Sequence, residues 1–226
     1  LVCGVNFGAN LTNLKRKSVN LRGKMWDKKI IAISDRQAVK GDFLDFVARL
    51  GRAKVDALIL REKDMRENDY YDLAKEVLKI CKKHKLTCFL HNFDKVALKL
   101  NHRYFHCPLD ILRAESRVVR YFHLIGTSVH SSNELLEAME FNCHYALFGH
   151  IFETLAKPLL PPRGLDMLSQ ICEQSTIPIY AVGGIKAENI ALLKGAGVAG
   201  ACMKGILTKQ TSLKRYIKRC ALALNE

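Results

Sequence analysis

Five clusters of residues in this chain have types and spacings suited to chemistry. The run FGHIFETLAKPLLPPRG, Phe148 to Gly164, places His150, Thr154 and Lys157 after an apolar stretch, and IPIYAVGGI, Ile177 to Ile185, follows about twenty residues later. The glycine pair Gly183 and Gly184 lets backbone amides approach a phosphate, and Met203, Lys204 and Gly205 stand in a similar position before a helix. A small phosphorylated ligand is the expectation. His130 closes another apolar run, GTSVH, behind Ser128. An imidazole titrates near neutrality, so it can both remove and return a proton. His130 is therefore the candidate acid/base. His150 competes with it, and His91 reads as a spacer whose ring faces helices or solvent. In LREKD, alternation sends Arg61 and Lys63 one way and Glu62 the other, and two cations on one side suit an anionic substrate.

The elements that must position these groups are legible as an alternation of β-rich runs and amphipathic stretches from Lys29 onward. Eight runs read as strands: 30–34, 56–61, 87–92, 104–109, 123–129, 145–150, 178–184 and 200–205. Helical faces appear at Phe43, Phe46, Val47 and Leu50, at Tyr70, Leu73, Ala74, Val77, Leu78 and Cys81, and at Leu135, Leu136 and Met139. Ser131 or Ser132 and the segment 186–189 look like helix starts. The fourth unit, with ILRAESRVVR after its strand, is the weakest. Eight βα units predict an α/β fold, a single-domain (β/α)8 TIM barrel over 25–226, with reactive groups at the carboxyl ends of the strands. The loop after strand six, with Pro158, Pro161 and Pro162, reads as a lid that also brings Arg163.

Composition narrows the classes. No stretch approaches the roughly 18 uninterrupted apolar residues of a membrane helix, and the expectation is a cytoplasmic protein without a membrane partner. The 8 cysteines form no CxxC pair, so neither a disulfide framework nor a zinc site is expected, and Cys202 and Cys220 read as core thiols. The formal charge is +14, but Lys15, Arg16, Lys17, Arg22 and Lys24 carry five of those charges in an acid-free segment, and removing them leaves +9. Residues 1–24 read as a basic N-terminal extension, with Met25 a candidate start. Basic runs at 75–85 and 214–219 lack interleaved aromatics and read as solvated helix faces, so no nucleic-acid partner is expected.

ISDR, LREKD, Asn92, GTSVHS, FGHIFET with Lys157, AVGGI with Asn189, and GAGVAGA resemble, in order and spacing, the thiamine phosphate synthase and TenI family from Ile30 to Leu207. The resemblance implies a (β/α)8 barrel, a phosphorylated thiazole as substrate, and dimers, which barrels of that family often form. Synthases of the family hold magnesium and a diphosphate with an asparagine–aspartate pair after strand three and an acid after strand four. Here Phe93 follows Asn92 and the fourth strand runs into HCPLDIL, so no metal is expected, with Asp94 and Asp110 the only nearby substitutes. SVHS and GHIFET resemble the TenI branch, whose thiazole tautomerases aromatise a thiazole phosphate carboxylate with the strand-five histidine, here His130. The expectation is such a tautomerase without cofactor, with His130 catalytic. Arg61, Lys63, Asn92, Ser128, His150, Thr154 and Lys157 would hold substrate, and Gly183, Gly184, Met203, Lys204 and Gly205 the phosphate. The rival readings are a magnesium-dependent thiamine phosphate synthase, a regulatory barrel that only binds its ligand, and a basic RNA-binding protein.

Overall fold

The computed structural model describes residues 29–155 and 157–226. The basic segment 1–24 and Met25 lie outside them. Eight parallel strands close into a barrel in sequence order: β1 (Lys29–Ile33), β2 (Ala57–Leu60), β3 (Thr87–His91), β4 (Tyr104–His106), β5 (Leu124–Val129), β6 (Tyr145–Gly149), β7 (Ile179–Val182) and β8 (Gly200–Met203). Each falls inside the run expected of it except β1, which begins one residue earlier, at Lys29. The connections carry α1 (Phe43–Arg52), α2 (Glu67–His84), α3 (Asp94–Lys99), α4 (Leu109–Ala114), α5 (Ser132–Glu140), α6 (Gly164–Gln174), α7 (Gly205–Thr208) and α8 (Leu213–Asn225). Between β7 and β8 a 3-10 helix, Ile190–Ala196, takes the place of an α-helix.

The pleat sorts the side chains into two cores. Ile31, Ile33, Ala57, Ile59, Phe89, Tyr145, Leu147, Tyr180 and Cys202 fill the barrel interior, while a larger shell, including Val47, Leu50, Val77, Leu135 and Cys220, packs strands against helices. Cys202 and Cys220 are thus core thiols on opposite sides of the sheet. The helical faces lie where periodicity put them, except that Leu136 is exposed and Ala138 is the buried partner of Leu135. The barrel floor is built around aromatic rings. Tyr145 sits edge-on to both Phe89 and Tyr180, and its ring occupies the space a side chain at Gly126 would fill, with a Cβ there only 2.2 Å from the ring. Among the described residues no helix is long and apolar enough to cross a membrane.

Candidate functional site

The carboxyl ends of the strands bring the expected residues to one mouth. At β5, Ser131 caps α5 by accepting from the Glu134 amide, and the Glu134 carboxylate reaches back to accept from the His130 amide. This fixes the His130 backbone. Its ring is fixed from β6, because Nδ1 lies 2.7 Å from the Gly149 carbonyl oxygen. A carbonyl only accepts, so Nδ1 carries the proton and Nε2 keeps its lone pair. Arg163 Nε donates to the same carbonyl at 3.0 Å. Burial pushes the His130 pKa below the usual histidine value, with the charges of Lys157 and Arg163 acting in the same direction against the Gly149 bond. The group is a neutral base at pH 7.

Arg61 and Lys63 lie just past the end of β2, where their charges act on His91 and His106 inside the barrel, while Glu62 turns to β1. Glu62 is 3% exposed, accepting from Ser34 Oγ at 2.6 Å and from the Arg36 amide at 3.1 Å, so it braces the β1 and β2 ends. Burial also lowers the Lys63 pKa, with Arg61 adding to the effect. Asn92 takes a left-handed backbone (φ 70°) at the end of β3.

Other expected residues have different employment. The His150 ring is buried, and its Nε2 donates to the Leu160 carbonyl at 3.2 Å, while the Arg163 amide donates to the His150 carbonyl at 2.9 Å. His150 therefore ties down the base of the β6 loop, its ring buried where that of His130 is half-buried. The loop is anchored at that end, and its Leu155 and Leu159 are exposed. Thr154 and Lys157 share a turn of this loop through the Lys157 amide and the Thr154 carbonyl. The Met203 side chain faces the outer core, because Cys202 is the inward residue of β8, so only its main chain can face a ligand. Lys204 Nζ is paired with Asp35 at 2.8 Å. Gly183 and Gly184 both have positive φ, 100° and 67°, and are packed from below: a Cβ on Gly183 would lie 2.2 Å from His150 Cβ, and one on Gly184 would lie 2.4 Å from the Glu153 carbonyl oxygen. Asn189 Nδ2 donates to the Gly184 carbonyl at 2.9 Å and steadies the turn. Above Gly205 the space is open.

His91 corrects the reading of the sequence. Its ring points into the barrel, 5% exposed, and stacks on His106 with centroids 5.5 Å apart and planes 13° from parallel. His106 lies 3.0 Å from Tyr145 Oη through Nδ1 and 2.9 Å from Ser128 Oγ through Nε2. His106 was not singled out from the sequence because the fourth strand reads there as running to residue 109, whereas it stops at His106. The available signal was the alternation of Tyr104 and His106 at a strand end. Burial drives both imidazoles to low pKa, His106 to about 3, with Arg61 and Lys63 adding to the effect.

These shifts predict the direction of acid sensitivity. The folded protein resists protonating His106 whereas the unfolded chain takes up that proton near pH 6.5, so the stabilisation is present above pH 6.5 and is lost as pH falls from 6.5 toward 3. Urea unfolding at pH 5 should give a stability lower by about 2 kcal/mol from this residue than at pH 7. His106→Phe should flatten that difference.

Magnesium is commonly held by one or two carboxylates together with a substrate's phosphates, and the carboxylates that follow β3 and β4 are Asp94 and Asp110. Phe93 packs on the Tyr70 ring at 4.6 Å, Asp94 opens α3, and Asp110 is bonded to Arg113 at 3.0 Å with its side chain 90% exposed. Among the described residues no three of His, Cys, Asp and Glu gather as metal ligands.

The sequence model of the family described as thiamine monophosphate synthase (TMP-TENI) matches residues 30–206. Thiamine-phosphate synthase 2 of Streptococcus pneumoniae serotype 4 is 31% identical over 163 residues, covering 70% of this chain and 76% of that protein. Thiamine-phosphate synthase of Coprothermobacter proteolyticus is 28% identical over 188 residues, covering 82% and 89%. Among solved structures, thiamine phosphate pyrophosphorylase from Pyrococcus furiosus superposes with a TM-score of 0.75 over 91% of this chain and 98% of that one, and at 22% identity this likeness concerns the fold.

Proposed function

Because this chain belongs to the thiamine monophosphate synthase family, we propose that it acts in thiamine biosynthesis on a phosphorylated thiazole, as a tautomerase that aromatises a thiazole phosphate carboxylate. The observation that carries this reading is the state of His130: Nδ1–H is held by the Gly149 carbonyl, leaving Nε2 as a base beside the cations Lys157 and Arg163. Nε2 takes the proton from the non-aromatic ring and returns it elsewhere on the same ring system, so His130 ends each cycle as it began. Arg61 and Lys63 attract the carboxylate, Asn92 and Ser128 border the ring, and the amides around Gly183, Gly184 and Gly205 receive the phosphate, Lys204 being engaged with Asp35. The reaction is proposed to need no metal.

The names of the relatives favour a second reading, a transferase joining a pyrimidine diphosphate to the thiazole phosphate with release of pyrophosphate. The two readings separate on magnesium. If the chain is a tautomerase, freshly prepared non-aromatic thiazole phosphate carboxylate is aromatised at the same rate in EDTA as in magnesium, as followed by ultraviolet absorbance. Pyrophosphate release that requires magnesium, without acceleration of aromatisation, would establish the transferase instead.

A further inference from the structure

His91 has no role in the site as derived so far, and its surroundings assign it one. In the register of the sheet, Leu60 lies beside Leu90 and His91 beside His106, and Arg61, one residue past the end of β2, is near enough for its charge to act on the His91 ring. His91 and His106 form one rung on two adjacent strands, which parallel pairing spaces about 4.8 Å apart, and Arg61 leaves the end of the next strand beside them. The other two buried histidines have ring partners, His106 on Tyr145 and Ser128, His150 on Leu160. Among the described residues neither ring nitrogen of His91 makes a hydrogen bond; Nδ1 is enclosed, which leaves Nε2 as the nitrogen a ligand could reach. Stacking alone does not explain a histidine there, because phenylalanine would stack on His106 as well without burying an unpartnered nitrogen, which costs more than an average hydrogen bond returns.

We propose that His91 is a ligand-contacting residue that completes, with Arg61 and Lys63, a pocket for the planar carboxylate of the ring substrate. The inference rests on the thiazole carboxylate reading and names the group that fixes its specificity. A carboxylate has two oxygens in one plane: one meets the guanidinium of Arg61 or the ammonium of Lys63, and the other accepts the imidazole N–H from the next strand. His91 stays neutral beneath these two cations, so it supplies a donor without adding a third charge. His106 serves as the platform that holds the ring upright.

Calorimetric titration with two stable ligands, the aromatic thiazole phosphate carboxylate and the same thiazole phosphate without its carboxylate, tests this. His91→Phe, which preserves the stack, should weaken the carboxylated ligand about 10-fold or more and leave the other within about twofold. His91→Gln, which restores a donor, should recover part of the loss and serves alone if the phenylalanine variant does not fold. Equal affinities for the unmodified protein and the folded variant, or equal losses for both ligands, would reduce His91 to a packing residue and overturn the proposal. If the unmodified protein binds neither ligand, it is the thiazole reading itself that fails.

Discussion

His130→Ala is expected to slow aromatisation of the thiazole phosphate carboxylate by about 10² to 10⁴, the usual contribution of a positioned acid/base group. The loss should fall on kcat, because the ring bonds to the Gly149 carbonyl through Nδ1 and leaves Nε2 for proton transfer, while the cations proposed to bind the anion are untouched. The pH dependence of the unmodified protein provides a second check. The His130 pKa is lowered, first by burial, so the base form persists below pH 6.5 and the acid limb of the rate profile should lie on the acid side of that value. An alanine variant with unchanged turnover would remove His130 from the chemistry. A limb above pH 6.5 would mean that the imidazole is not held as described.

The second large effect is on stability. Gly183→Ala should lower it by about 3 kcal/mol, combining a strained left-handed backbone with overpacking. Gly183 has φ 100°, and the added Cβ would stand 2.2 Å from His150 Cβ and 2.6 Å from its Cα. Neither can retreat easily, because the Ile151 amide is bonded to the Val182 carbonyl and the Phe152 amide to the Gly183 carbonyl. In a domain of this size the cost corresponds to a melting temperature lower by roughly 6 to 12 °C, measurable by calorimetry. Gly205, after β8, is less constrained, and Gly205→Ala, with nothing within 4 Å of the new Cβ, should leave the melting temperature within about 2 °C. The contrast separates two glycine roles that look alike in sequence: Gly183 is demanded by packing whether or not phosphate is bound, and Gly205 is not.

The barrel was legible in the chain because its signals are local. Each strand is a short apolar run and each helix a periodic face, and the side of the sheet on which Arg61, Glu62 and Lys63 fall follows from a period of two. Ser131 as helix cap and His130 at a strand end are equally local, and so is the run of family motifs along 30–206. Strand ends are the weak point of such reading, and there the expectations failed. A strand stops where its neighbour stops pairing, which is a property of two segments far apart in the chain, and β4 ends at His106 rather than at residue 109 for that reason. With the end of β4 misplaced, the inward pair of His91 and His106 is not visible in the sequence, and His91 reads as facing outward although its strand is placed correctly.

Contacts between loops were also beyond the reach of sequence. Nothing near His150 announces that its ring will reach the carbonyl of Leu160, or that Lys204 will pair with Asp35 across the junction of β8 and β1. The sequence by itself determined which segments are strands, which face of each is apolar, and that histidine, cation and glycine groups collect at one end of the barrel. Only the tertiary structure decided which of those groups are spent on one another and which, like His130 Nε2, make no hydrogen bond among the described residues, because a hydrogen bond between distant segments depends on register and closure as well as on the identity of the two residues.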